Sequence, residues 1–168
     1  MHRLATILVG IVLLLLESLL LDLFGLSLWL PHVASALVVY IALEREMFEG
    51  CVEVLGLAWV AELLSGSPPG VYALAVTLLF FGVRLSAVRL SYRAWPVRLG
   101  LSVVAALGLH ALLLIILLMS GHPTSYVTTF ALAGAPSSLA APLGLVVVWL
   151  SLERLDELFK RRKNIFSD

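Results

Sequence analysis

Long apolar runs separated by short polar connections dominate this chain. The first, residues 4–23, is dense in leucine and carries charge only at Glu17 and Asp22. A second covers 26–43, with Pro31 tolerable near a helix start, and the polar cluster EREMFEG ends it. A third, 48–64, is the least apolar and holds Glu53 and Glu62. The runs at 71–90 and 97–119 leave no ambiguity. The last region, 125–155, is longer than one crossing of roughly 20 residues needs and contains Pro136 and Pro142. It predicts a short outer or re-entrant helix over about 125–133, a break, and a sixth span over about 137–157. His2 and Arg3 before the first run suggest a signal peptide, but the run is too long and no small-residue cleavage site follows closely. An uncleaved first span is expected. Folding 26–64 into a re-entrant hairpin would bury Glu44, Arg45, Glu46 and Glu49, at about 2.5–3.5 kcal/mol per charge; two crossings are expected instead.

Composition carries the pattern to a class. With 61% hydrophobic and 13% charged residues, and a mean hydropathy of +1.07, the chain has more apolar surface than a small soluble core can bury. The expected fold is an all-α integral membrane protein, a compact bundle of about six transmembrane helices forming one domain over 1–168. The formal net charge is zero, so a nucleic-acid partner gains no electrostatic support. The distribution of charge says more. With the N-terminus inside, all eleven Lys and Arg fall on the cytoplasmic side: Arg3, Arg45, Arg84, Arg89, Arg93, Arg98, Arg154, Lys160, Arg161, Arg162 and Lys163. The opposite connections contain none, as the positive-inside rule requires when both termini are cytoplasmic. The single Cys51 excludes an intramolecular disulfide and reads as a small core residue.

Catalytic and ligand-binding signatures are sparse. No HExxH, GxSxG elbow, glycine-rich phosphate loop or cysteine pair occurs. Ser67 in GSPPG has no nearby His to activate it. Glu44 and Glu46 are split by Arg45, unlike the adjacent glutamates of intramembrane CAAX-type proteases. No enzyme activity, cofactor or metal is expected. Ionisable groups within spans face the bundle or a partner, which makes Glu17, Glu62 and His110 candidate partner or helix contacts. Glu53, one turn inside the cytoplasmic end of its span, can snorkel. Glu62 sits in the last turn of its helix, where the dipole disfavours an anion, and points about 180° away from Glu53. Gly134 and Ser138, with Ala131 and Ala135, favour close helix approach. A cytoplasmic basic face of Arg84, Arg89, Arg93, Arg98, Lys160, Arg161, Arg162 and Lys163 suits anionic lipid or a cytoplasmic partner.

GLAWVAELLSGSPPGVYALAVTLLFF, residues 56–81, resembles the most recognisable part of the rod shape-determining protein MreD family. That part is a glycine, an acidic residue, two apolar residues, and a Ser/Gly/Pro turn into an aromatic-Ala-Leu helix start. The motif positions are Gly56, Glu62, Gly66 and Gly70, with Leu63, Ala73 and Leu74. Glu62 stands where the family usually has Asp, which keeps the charge on a longer arm. A proline before span two, Gly50 after a charged connection, and a proline in the last span before a basic tail are diffuse further matches. The resemblance implies a non-enzymatic scaffold or regulator of the bacterial elongation complex in the inner membrane. It would bind an MreC-like single-span protein. Through it the chain would connect to a RodA-type glycosyltransferase, a class B penicillin-binding protein and MreB filaments, supporting lateral peptidoglycan synthesis and cell shape. The alternative is the substrate-binding membrane subunit of an energy-coupling-factor vitamin transporter, similar in size and span number. Such subunits carry an Ala-xxx-Ala pattern on the first helix, where this chain has Ala5 alone in span one, and need a polar and aromatic outer pocket. The outer loops offer Trp29, His32, Tyr72, His122 and Tyr126. A novel intramembrane enzyme using Glu62 or His110 is the remaining class.

Overall fold

The stretch VASALVVYIALE has apolar side chains on every side of a helical projection, and a helix of that kind needs neighbours all round. It forms α2 (Val33–Glu44), of which Val33 through Leu43 are all buried. Around it stand α1 (His2–Phe24), α3 (Met47–Ser65), α4 (Val71–Arg89), α5 (Trp95–Met119) and α6 (Thr124–Ile165). These five pack as a closed ring in the order α1, α3, α4, α5, α6 and back to α1, and each also touches α2. The structure is a computed structural model that describes residues 2–24, 33–65, 69–89, 94–121 and 124–165. Among the described residues it is all-helical, with no strand.

The ring helices turn one face inward and leave the other bare. Leu37, Val39, Ile41, Phe80, Leu109 and Leu145 lie in the fully buried interior, while Leu8, Trp59, Leu78, Val104 and Leu143 point away from it on the five surrounding helices. Exposed apolar surface of this extent on a water-soluble monomer would drive association. Among the described residues, two helical stretches are long and apolar enough to cross a membrane, α5 and the Pro136–Leu155 part of α6; Ala5–Leu20, Val33–Glu44 and Val71–Ala87 are shorter apolar stretches. Twelve residues make α2 about 18 Å long, well short of a hydrocarbon core of roughly 30 Å.

The described part of the second helix is Val33–Glu44; its expected start near residue 26 lies outside the described residues. One expectation changes, since the last helix does not break. α6 runs unbroken through Pro136 and Pro142, so the expected short outer helix over 125–133 is its first three turns. Between the two prolines the hydroxyls of Ser137 and Ser138 turn back onto the Gly134 carbonyl at 3.2 and 2.6 Å.

Candidate functional site

α2 is held at both ends by charged side chains from the ring, each matched to the sign of the helix dipole. At its N-terminus, the Glu17 carboxylate of α1 accepts the Val33 amide hydrogen at 3.2 Å. That amide is one of four with no acceptor inside the helix, and the positive end of the dipole favours the anion. At its C-terminus, the Arg84 guanidinium of α4 donates to the Ala42 carbonyl at 2.6 Å, where a cation is favoured for the same reason. Each end of the buried helix thus gains one bond from a neighbouring helix.

The same device closes the α3–α4 hairpin. Glu62 stands near the C-terminus of α3, but its two oxygens reach across the turn. One accepts from the Gly70 amide at 2.6 Å and the other from the Ala73 amide at 2.9 Å. The unfavourable dipole expected from its own helix is offset by the favourable N-terminus of the next. Gly70 has φ +84°, a left-handed conformation that glycine adopts without a Cβ penalty. The turn can therefore deliver its amide to the carboxylate. Tyr72, in the first turn of α4, lies within electrostatic reach of Glu17. Both acidic candidates accordingly face the end of the bundle at which α2 and α4 begin.

At the opposite end the described arginines gather. Arg45, in the connection between α2 and α3, donates to the Thr6 hydroxyl of α1 at 3.0 Å and pairs with the Glu53 carboxylate at 3.7 Å. Glu53 is 1% exposed, so it is paired inside the bundle and does not snorkel. Arg98 places its guanidinium 4.0 Å from the Trp149 ring centroid and 5.6 Å from that of Trp95, with Glu44 4.0 Å away. Tyr40 meets Trp149 edge-on at 5.0 Å, so a stacked cation seals this end of α2 against α5 and α6. Arg93 and Gly66 lie outside the described residues, as do the side chains of Arg89, Lys160, Arg161, Arg162 and Lys163. The basic face is described only at Arg84, Arg98 and exposed Arg154.

His110 occupies the third polar position, where α5 crosses α6. Its Nδ1 lies 3.0 Å from the Ala106 carbonyl, which can only accept, so Nδ1 carries the proton. Nε2 then faces the Ser137 hydroxyl at 3.4 Å as the lone-pair nitrogen of a neutral ring. The Ser137 hydroxyl donates to the Gly134 carbonyl at 3.2 Å, which it shares with Ser138. The ring lies flat on α6 at Gly134, where an added Cβ would come within 2.9 Å of His110 Cδ2. Gly134→Val is expected to destabilise the protein by about 1–3 kcal/mol, read as a lower thermal midpoint in detergent, and Gly134→Ala by less. Equal midpoints for the valine variant and the native chain would disprove the close seat.

A cavity of about 10 Å³ lies among α1, α2, α3 and α4, lined by apolar side chains including Leu14, Leu37, Val54 and Val76. That is room for about one water-sized sphere. Among the described residues no group of three or more His, Cys, Asp or Glu is placed to hold a metal ion, and Cys51 is a partly buried free thiol. The structure brings Glu17 and Glu62 to helix starts and His110 to a packing seat. It also adds the Arg45–Glu53 pair and the Arg98–Trp149 stack, which were not foreseen in the sequence. A trace of the first existed there, since Arg45 is the cation in an otherwise acidic connection, eight residues before an acid at a span end. No family model, curated protein or solved structure matches the chain.

Proposed function

We propose that this chain is a multi-pass scaffold of a bacterial inner membrane, acting without catalysis in the cell-elongation complex, where it binds an MreC-like single-span protein. The observation that carries the reading is the α3–α4 hairpin. Glu62, Gly70 and Ala73 are three of the residues on which the resemblance to the MreD family rests, and the amides of Gly70 and Ala73 both donate to the Glu62 carboxylate. The motif thus has a physical purpose, since an acid near the end of one helix holds a left-handed glycine and the start of the next. Two further features support a membrane scaffold. The ring turns apolar side chains outward on all five helices, and Arg45, Arg84 and Arg98 gather at the end opposite Glu17 and Glu62. That separation agrees with a cytoplasmic basic face. The transporter-subunit alternative gains little support from a cavity of about 10 Å³ with apolar walls.

The test is co-purification in mild detergent of the tagged chain with the MreC-like protein of its own host, together with depletion of the chain. The expected result is a stable pair, and rounding of rod-shaped cells on depletion. Absence of the pair with unchanged cell shape would refute the reading.

A further inference from the structure

We propose that α1 is a displaceable strap, a helix that can leave its seat on α2, α3 and α6 as a unit while the other five helices keep their packing. This needs only a helical bundle in lipid, and rests on neither the partner nor the orientation proposed above. The inward line of α1 is short of bulk. Among its described residues Thr6, Gly10 and Leu14 are buried, one turn apart, with Ile7, Val9, Ile11 and Leu13 partly covered beside them. A single large side chain is therefore sunk fully into the core. Its neighbours in the ring differ, since α4 buries Tyr72, Leu79 and Phe80, and α5 buries Leu101, Leu109 and Leu113. Gly10 lies directly on α3, where an added Cβ would come within 2.7 Å of Leu57 Cδ2. One turn further on, the apolar cavity opens beside Leu14, and every other residue lining it belongs to α2, α3 or α4. Packing under α1 is interrupted midway along its seat.

Lipid as the solvent gives that interruption its weight. Lipid tails are as apolar as leucine, so a helix leaving a bundle within the bilayer loses close packing and interhelical hydrogen bonds but no hydrophobic burial. A void supplies no packing on its side. The seated helix is then distinguished from the displaced one mainly by two polar latches, with Leu14 between them along the helix. Arg45 donates to the Thr6 hydroxyl at 3.0 Å. Glu17 accepts from the Val33 amide at 3.2 Å, an amide with no acceptor inside its own helix. The outer face of α1 already suits lipid, since Leu8, Val12, Leu15, Leu16 and Leu19 point away from the bundle. Because α1 stands between α3 and α6 in the ring, its departure opens a slot onto α2. The two latches thus set whether the central helix is enclosed by protein or reached by lipid.

Double electron–electron resonance on the full chain in lipid nanodiscs tests this, with nitroxides on cysteines placed at outward positions in a Cys51→Ala background. Leu16→Cys on α1 with Leu78→Cys on α4 reports the strap, and Leu78→Cys with Val147→Cys on α6 reports the rest of the bundle. With both latches intact, the first pair is expected to give one main distance and a longer component of at most about 10%. Thr6→Val combined with Glu17→Leu should raise the ratio of the longer to the main component about tenfold, roughly threefold for each lost interhelical bond. Neither substitution removes a Lys or Arg, so the topology signal stays intact. Gly10→Val, which touches neither latch, should raise the same ratio by wedging α1 off Leu57. The α4–α6 pair should keep its single distance in every variant. Latch and wedge variants that leave the α1–α4 pair as narrow as in the native chain would overturn the strap. Broadening of both pairs to the same extent would overturn it too, since the bundle would then loosen as a whole.

Discussion

Arg45→Met is expected to lower the stability of the folded bundle by about 3 kcal/mol, more than any other single change at the end where the described arginines gather. The reason is what it strands. Glu53 is 1% exposed and has Arg45 3.7 Å away, so removing the guanidinium leaves a carboxylate without its counter-charge in a low-dielectric interior. It also removes the donor to Thr6, which is fully buried on α1, and so loosens the attachment of the first helix to the α2–α3 connection. Glu53→Gln should cost less, because the amide buries no charge and the partly exposed Arg45 keeps its bond to Thr6. The double variant Arg45→Met with Glu53→Gln should recover part of the loss, as expected when a buried pair is replaced whole instead of halved. Thermal unfolding in detergent, followed by tryptophan fluorescence, measures all three. An Arg45→Met variant as stable as Glu53→Gln, with no recovery in the double, would show that the pair contributes nothing through its charge.

The sequence made the helices legible and the arrangement illegible, for separable reasons. Apolar runs longer than 18 residues have few solutions, so the centres of α1, α4, α5 and the second half of α6 could be placed. Nothing in the pattern singled out α2 as the central helix, however. In a chain this apolar, a run facing lipid on one side and a run surrounded by protein have nearly the same composition. α6 was misjudged at Pro136 and Pro142 because proline ordinarily ends or kinks a helix, whereas this helix runs through both. The acidic residues were recognised as helix contacts by type. Their acceptor role was hidden because the partners, Val33, Gly70 and Ala73, contribute backbone amides that no side-chain pattern reveals. The helix-end role of Arg84, read in the sequence as a topology charge and part of the basic face, was hidden for the same reason, since what it binds is the carbonyl of Ala42.

Glu62→Ala is expected to cost about 2 kcal/mol, the loss of two hydrogen bonds to a charged acceptor at a helix N-terminus, and to act mainly on the α3–α4 hairpin. Both amides belong to the start of α4: Gly70 just precedes the helix and Ala73 is in its first turn. The alanine variant leaves each without this acceptor and removes the anion from the dipole. Glu62→Gln keeps an oxygen for one amide but turns an NH₂ toward the other, so it should lie between alanine and the native residue. Glu62→Asp keeps the charge on an arm one methylene shorter and should hold one of the two amides. Gly70→Ala tests the other half of the turn, since a side chain at φ +84° costs about 1–2 kcal/mol. In the background of Glu62→Ala this cost should be smaller, because a turn released from the carboxylate can relax out of the left-handed conformation. Full additivity in that cycle would mean that the carboxylate does not hold the turn. The same variants separate a structural role from a contact role. If Glu62 acts only as the clasp of the hairpin, binding of an MreC-like partner by the glutamine, aspartate and alanine variants will fall in step with their thermal midpoints. Partner binding lost in Glu62→Gln at a near-native midpoint would instead place the partner on the carboxylate itself.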